Sequence, residues 1–313
     1  MIPSQRDVQQ AFDRVRPHVH QTPVLTSRLL DELSGASIFF KCENFQKMGA
    51  FKMRGAINAI LQIPLADQAK GVVTHSSGNF AQAVSLAAKN LGIPAYIVMP
   101  NNAPQVKKDA VVSYGGIIYE SEATIAAREA MASKIQNKTG PTFLHPSNHI
   151  DVILGQGTAA IELLQEQPSL NCIITPVGGG GLLAGSALAA KYFGSSIGVY
   201  AGEPFNADDG YRSLQSGKIE YNTTVNTIAD GLRTHLGDKN FPIIKTLVTD
   251  IIRVEEQEII SAMKLIWERL KIITEPSCAV PFAALLRDKK TFAGKKVGII
   301  LSGGNVDLTN LPF

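Results

Sequence analysis

A chain of 313 residues that is 45% hydrophobic, 18% charged and 7% aromatic has apolar surface enough for one large or two medium α/β cores, which excludes disordered and collagen-like classes. Its 30 basic and 27 acidic residues leave a net charge of +3 with no long basic run, so nucleic acid is not an expected partner, while a small anionic ligand is. No apolar stretch approaches the roughly 20 residues of a membrane helix. Three cysteines, Cys42, Cys172 and Cys278, are too scattered for a metal site and suit reduced thiols in a cytoplasmic protein.

The opening stretch MIPSQRDVQQAFDRVRPHVH lacks the apolar segment of a signal peptide and predicts a polar, amphipathic helix. Strands are predicted at 37–42, 71–74, 95–99, 116–119, 171–177, 198–201, 251–254 and 296–301. Several are rich in β-branched residues and poor in charge, as strands buried on both faces are. Helices are predicted between them at 81–91, 123–136, 155–164, 182–192, 256–270 and 279–286. This alternation argues for α/β units with mostly parallel sheet. If there are two domains, the chain crosses between them near 64–70 and 140–146, where Pro, Gly and polar residues collect.

Ligands of open α/β sheets bind beyond the carboxyl ends of the strands, and four post-strand segments stand out. Val177-Gly178-Gly179-Gly180-Gly181-Leu182 joins an apolar strand to an Ala- and Leu-rich helix. Glycines let successive N–H groups face one point at a helix start, which suits phosphate better than a flexible loop. It is neither a dinucleotide fingerprint nor a Walker loop. Ala50-Phe51-Lys52-Met53-Arg54-Gly55 opens a predicted helix. Most lysines are solvated charges, but Lys52 has apolar neighbours, and a desolvated lysine becomes a nucleophilic amine. Thr74-His75-Ser76-Ser77-Gly78-Asn79-Phe80 suits either a carboxylate or plain helix capping. Leu301-Ser302-Gly303-Gly304-Asn305 is a turn, or a hydroxyl aimed at a ligand ring.

Together, in this order, these segments resemble the serine/threonine dehydratase and serine racemase family of fold-type II pyridoxal-phosphate enzymes. The resemblance runs from Thr22-Pro23-Val24-Leu25-Thr26 to Gly303-Gly304-Asn305-Val306-Asp307. Lys41-Cys42-Glu43-Asn44-Phe45-Gln46-Lys47 and Glu203-Pro204-Phe205-Asn206-Ala207-Asp208-Asp209 are closest to the racemase branch. The resemblance implies two open, mostly parallel-sheet αβα domains with the cofactor between them. Residues 1–64 and 146–313 would form the large domain and 65–145 a small mobile one.

By the same resemblance, Lys52 bonds pyridoxal phosphate covalently, and Phe51 packs beside its ring. Gly178, Gly179, Gly180, Gly181 and Leu182 hold its phosphate. Asn79 meets its phenolic oxygen, and Ser302 its pyridine nitrogen. A serine hydroxyl there makes the ring a weaker electron sink, which favours prompt loss of a β-leaving group. Ser76, Ser77, Asn79 and Arg128 are the implied substrate contacts, Ser77 also being the base on the face opposite Lys52 in racemases. Glu203, Asp209 and the Ala207 carbonyl would bind Mg²⁺, Mn²⁺ or Ca²⁺. Lys47, Gln82 and Lys271 resemble parts of an ATP-like effector site, and a homodimer is implied. The chain departs from the family's pattern at Phe80, where histidine is usual.

The expected activity is that of a dehydratase (ammonia-lyase) acting on L-threonine, L-serine or L-threo-3-hydroxyaspartate. Serine racemase with side elimination is the alternative, and a non-catalytic sensor of phosphate ligands is an alternative of another class. The Ser302 segment lies near Phe313, which predicts a form without the C-terminal regulatory domain of biosynthetic threonine dehydratases.

Overall fold

The computed structural model describes residues 2–313. Its strands, in chain order, are β1 Val24–Leu25, β2 Ser37–Cys42, β3 Val72–His75, β4 Ala95–Pro100, β5 Ile117–Ser121, β6 Thr142–Phe143, β7 Cys172–Pro176, β8 Gly198–Pro204, β9 Asp250–Val254 and β10 Lys296–Leu301. Six lie side by side in the order β1-β2-β10-β7-β8-β9, all parallel except β1, which pairs antiparallel with β2. The other four form a parallel sheet in the order β5-β4-β3-β6. The fold is therefore α/β with two open, mostly parallel sheets, as the alternation of short apolar runs and helical patterns predicts. Strand β7 is buried at all five positions, as expected for a strand covered on both faces.

Helices cover the larger sheet on both sides. Ile150–Glu166, Gly181–Phe193 and the amphipathic Gln5–Val15 share one apolar cluster with Ile300 of β10. Glu256–Leu270 and Pro276–Arg287 share another with Val297, Ile299 and Leu301 of the same strand, so alternate side chains of β10 enter opposite cores. Gln5–Val15 forms because Val8, Ala11, Phe12 and Val15 recur at helical spacing and Ser4 closes a capping box with Asp7. Ile150–Glu166 and Gly181–Phe193 cross at Gly157 and Gly185, where a Cβ on Gly157 would stand 2.5 Å from the Gly185 carbonyl oxygen.

The structure adds elements that the sequence pattern does not predict. Strands β1 and β6 are two residues long, too short for any periodicity. Helices Arg28–Ser34, Gln105–Ser113, Asp209–Ser216 and Phe241–Leu247 have at most nine residues, and tertiary packing rather than propensity sustains helices of that length. The three cysteines are unpaired and buried, and burial pushes Cys42 up to about 12 and Cys172 up to about 11, which keeps both as inert thiols.

Helix Lys52–Leu61 joins the two sheets, packing against both Ile150–Glu166 and Asn79–Asn90. Its Arg54 is fully buried. The guanidinium forks onto Glu43 at 2.7 and 2.8 Å and onto Glu162 at 2.7 and 2.8 Å. Lys41 completes the cluster, 2.8 Å from Glu162 and 2.6 Å from the Thr22 carbonyl oxygen. Burial works to raise the Glu162 pKa, but Arg54 and Lys41 outweigh it and hold this carboxyl below the ordinary range. Removing one partner would strand the others without water. Arg54→Leu is expected to cost about 3–5 kcal/mol in a urea unfolding titration, and a loss under about 1 kcal/mol would show the cluster to be dispensable.

Candidate active site

Five connections leave the carboxyl ends of strands β2, β3, β6, β7 and β10 and meet at the seam between the sheets. After β10, the Ser302 carbonyl accepts a hydrogen bond from the Phe51 N–H at 3.0 Å, and the Gly304 N–H donates to the Gly49 carbonyl at 2.9 Å. This short pairing delivers Lys52 as the first residue of its helix. The Lys52 ammonium donates to the Pro146 carbonyl at 3.0 Å and lies 5.0 Å from the Phe51 ring centre and 5.6 Å from that of Phe80. Burial lowers its pKa to about 8, against the opposing charge of Glu275.

Asn79 is the first residue of helix Asn79–Asn90. Its Nδ2 straddles the Glu275 carboxylate at 3.0 and 3.1 Å, while its Oδ1 accepts from Asn305 Nδ2 at 2.8 Å. Asn305 spends its other amide proton on the Met48 carbonyl at 2.9 Å. The orientation of the Asn79 amide is thereby set, with one N–H left for a ligand. Burial and the charge of Asp230 raise Glu275 to about 7, despite the Asn79 bond.

The glycine segment enters helix Gly181–Phe193 through Gly180 at φ +78°, a left-handed conformation that glycine adopts without strain. The N–H groups of Gly179, Gly180 and Gly181 have no acceptor among the described residues. Side chains are excluded there. A Cβ on Gly178 would lie 2.6 Å from Leu232 Cα, and one on Gly179 would collide with Ser147 Oγ and approach Thr234 Oγ1 to 2.9 Å. Asn240, fully buried, props the loop by donating to the Gly179 and Ser147 carbonyls at 2.8 and 3.2 Å. Free N–H groups at the start of a long helix, with room for backbone alone, fit a phosphate. Buried Ser302 has a hydroxyl without a partner among the described residues, which fits a polar atom of a ligand ring.

Ser76 and Ser77 sit half-buried between β3 and Asn79, and the Ser77 hydroxyl makes no hydrogen bond within the described residues. Arg128, also half-buried, lies on helix Ile125–Thr139 of the smaller sheet. Burial lowers the His75 pKa and the charge of Arg128 lowers it further. His145 stacks edge-on to His75 at 5.8 Å. It is pushed down to about 4 by burial, with His75 and Lys52 adding to the effect. The site thus gathers Lys52 and two imidazoles held neutral at pH 7, with the charge of Arg128 reaching His75 and the carboxyl of Glu275 acting on Lys52.

The implied metal ligands lie elsewhere, after β8. Glu203 is fully buried and accepts from the N–H groups of Gly210 and Tyr211 at 2.9 and 2.7 Å. Asp209 accepts from Asn222 at 2.6 Å through one oxygen, while its Oδ2 is buried without a partner. Burial, reinforced by Asp209, raises Glu203 well above the ordinary range, and burial raises Asp209 to about 6. Two buried acids, one with a bare oxygen, fit a hard cation with the Ala207 carbonyl as a further oxygen donor. No group of three or more His, Cys, Asp and Glu side chains is gathered for a metal among the described residues.

The implied effector residues come from three separate elements. Lys47 donates to the His18 carbonyl at 2.7 Å, and Gln82 is buried on helix Asn79–Asn90. Lys271 lines a cleft of about 370 Å³ with Asn44, Phe45, Gly49, Ile273 and Asn305, which neither Lys47 nor Gln82 lines. Sequence reasoning missed Glu275, His145, Ser147 and Asn240. Glu275-Pro276 carries a helix-start signal, an acid before a first-turn proline, and His145 lies at the expected domain crossing. Asn240 sends no sequence signal.

Residues 15–303 match the profile of the family described as pyridoxal-phosphate dependent enzyme. The chain is 48% identical over 312 residues to the β-hydroxyaspartate dehydratase of Paracoccus denitrificans, covering 100% of this chain and 99% of that one. It is 52% identical over 309 residues to a serine racemase of Arabidopsis thaliana, covering 97% and 93%. The solved structure of maize serine racemase superposes with a TM-score of 0.97 at 48% identity, covering 99% of this chain and 95% of that one. Gly179→Ala is expected to weaken retention of pyridoxal phosphate at least about tenfold, since a Cβ there would fill the cradle. Equilibrium dialysis measures this with circular dichroism as the folding control, and unchanged retention would remove the cradle from the site.

Proposed function

The chain belongs to the pyridoxal-phosphate dependent enzyme family, and on that premise we propose that it removes water and then ammonia from a small β-hydroxy amino acid, releasing a 2-oxo acid. L-threo-3-hydroxyaspartate, L-threonine and L-serine are the candidate substrates. The observation that carries this reading is the Lys52 amine. It sits in an apolar seat between the phosphate cradle and the Ser76–Asn79 loop, with its pKa lowered to about 8. A sensor of phosphate ligands has no use for such an amine. The half-buried Arg128, whose charge reaches His75, and the similarity to a β-hydroxyaspartate dehydratase support a dicarboxylic substrate among the three.

Bound pyridoxal phosphate supplies the electron sink that makes the α-proton acidic and the β-hydroxyl a leaving group. The N–H groups of Gly178–Leu182 would hold the phosphate, and Phe51 would pack beside the ring. Asn79 offers its remaining amide proton to the phenolic oxygen, and the Ser302 hydroxyl meets the pyridine nitrogen. Ser76, Ser77 and the start of helix Asn79–Asn90 bind the substrate carboxylate. Lys52 Nζ would take the α-proton of the bound substrate. The Ser77 hydroxyl stands free for the opposite face of the α-carbon, and that observation supports racemisation as the second reading.

The activity is tested by proton NMR in D₂O with pyridoxal phosphate and Mg²⁺, each substrate taken separately with a chiral assay of what remains. A 2-oxo acid should accumulate while residual substrate stays in the L form. Deuterated D-amino acid appearing faster than 2-oxo acid would make the protein a racemase. Borohydride reduction and peptide mapping should find the cofactor on Lys52 and nowhere in Lys52→Ala.

We further propose that Glu203, Asp209 and the Ala207 carbonyl bind a divalent cation, Mg²⁺, Mn²⁺ or Ca²⁺, in a structural role, and that the protein is a cytoplasmic homodimer that answers an ATP-like effector through Lys47, Gln82 and Lys271. No helix of the described residues is long and apolar enough to cross a membrane. Asp209 has a folded pKa of about 6 against an ordinary 3.8. Its protonated form therefore suits the cation-free fold, and that stability is present below about pH 4 and is lost as pH rises through 6. A cation reverses this by favouring the ionised pair. Saturating Mg²⁺ should raise Tm by about 2–5 °C at pH 8, less at pH 5, and not at all in Asp209→Asn. An equal rise in the variant would overturn the site.

A further inference from the structure

Phe80 packs with helix Lys52–Leu61 in the apolar cluster beneath the smaller sheet and is 2% exposed. Its ring and that of Phe51 flank the Lys52 amine at 5.6 and 5.0 Å. Three N–H bonds leave that nitrogen when it is charged, yet its one hydrogen-bond acceptor among the described residues is the Pro146 carbonyl. Two titratable groups act on the amine from the elements packed around it. Glu275, before helix Pro276–Arg287, favours the ammonium. His145, after β6, is coupled to the same charge and is itself held neutral.

We propose that Phe80 is a positioning residue that sets the basicity of half-buried Lys52, by covering one side of the amine against water and against a second hydrogen-bond acceptor. Two effects of the ring oppose each other, and their sizes decide the direction. The negative face of an aromatic ring attracts an ammonium enough to raise its pKa by about one. Exclusion of water from a buried lysine lowers the pKa by up to about 3–5. With one acceptor for three protons, exclusion wins, and the amine sheds its proton near neutral pH, where a base must be free. A histidine at this position would be neutral, as His145, which feels the same Lys52 charge, is, and would supply the missing acceptor. The inference rests on the reading of Lys52 as the proton-accepting amine.

The test uses the full-length chain stripped of cofactor, so that Lys52 titrates as a free amine. Trace acetic anhydride is applied from pH 6 to 10, and acetylation of the Lys52 peptide is quantified by mass spectrometry. The wild-type midpoint is expected near about 8. Phe80→His should move it up by about one pH unit, and Phe80→Gln serves the same arm if the histidine variant does not fold. Phe80→Leu keeps the apolar wall without the ring face, so its midpoint should stay or fall. In the holoenzyme, the ascending limb of the kcat profile of Phe80→His should move the same way, lowering kcat at pH 7 by up to about tenfold with little change in KM. A wild-type midpoint kept by Phe80→His, or a rise in Phe80→Leu equal to that in Phe80→His, would overturn the proposal. Borohydride mapping decides separately whether Lys52 holds the cofactor, since the acetylation midpoints are read with no cofactor present.

Discussion

A guanidinium without water must find acceptors for its donors, and at Arg54 two elements distant in sequence supply them. Glu43 follows β2 and Glu162 lies on helix Ile150–Glu166, and both grip the fork in pairs. The requirement is close to all-or-none, because a half-paired buried charge costs more than the pair contributes. Arg54 therefore fixes where helix Lys52–Leu61 begins and how it is rotated. Lys52, two residues earlier, inherits that placement, and so do Phe51 and the pairing of Ala50 with Gly303.

The same chemistry, with its counter-charges withheld, makes the candidate site groups. Lys41 is a fully buried lysine and Lys52 a half-buried one. Lys41 meets Glu162 and Glu166 and serves as structure, whereas Lys52 meets a carbonyl and two rings and is left reactive. The acids divide in the same way. Glu43 and Glu162 are clamped by cations, whereas Glu203 and Asp209 repel each other with Asp209 Oδ2 bare. Pairing separates scaffold from site in this molecule, and residue type alone does not.

That difference explains what was legible in the sequence. Strand β10 and helix Glu256–Leu270 match their expected bounds, because a charge-poor β-branched run and a clean 3.6-residue period are local signals. The Gly178–Gly181 loop was legible because glycines between a strand and a helix have a backbone meaning. Glu275 and Asn240 were not, since their partners Asn79 and Gly179 lie 196 and 61 residues away. Arg54 lies within the Ala50–Gly55 segment, yet nothing near it in the chain announces that it is buried. Lys47 and Lys271, grouped by resemblance, belong to different elements, and the Lys47 ammonium donates to a backbone carbonyl.

Strand β10 lies between β2 and β7 in the larger sheet, yet it is the last strand in the chain. During synthesis on the ribosome, β2 waits through more than 250 residues with its inner edge bare, and β2 and β7 have no common partner until residue 301 has emerged. The smaller sheet, whose strands all fall within 72–143, is free to assemble long before. The nascent protein therefore carries a finished half beside an open apolar edge, a state that chaperones bind and that aggregation threatens. The strand that closes this edge also brings Ser302 to Phe51, so the site is completed in the same step as the sheet.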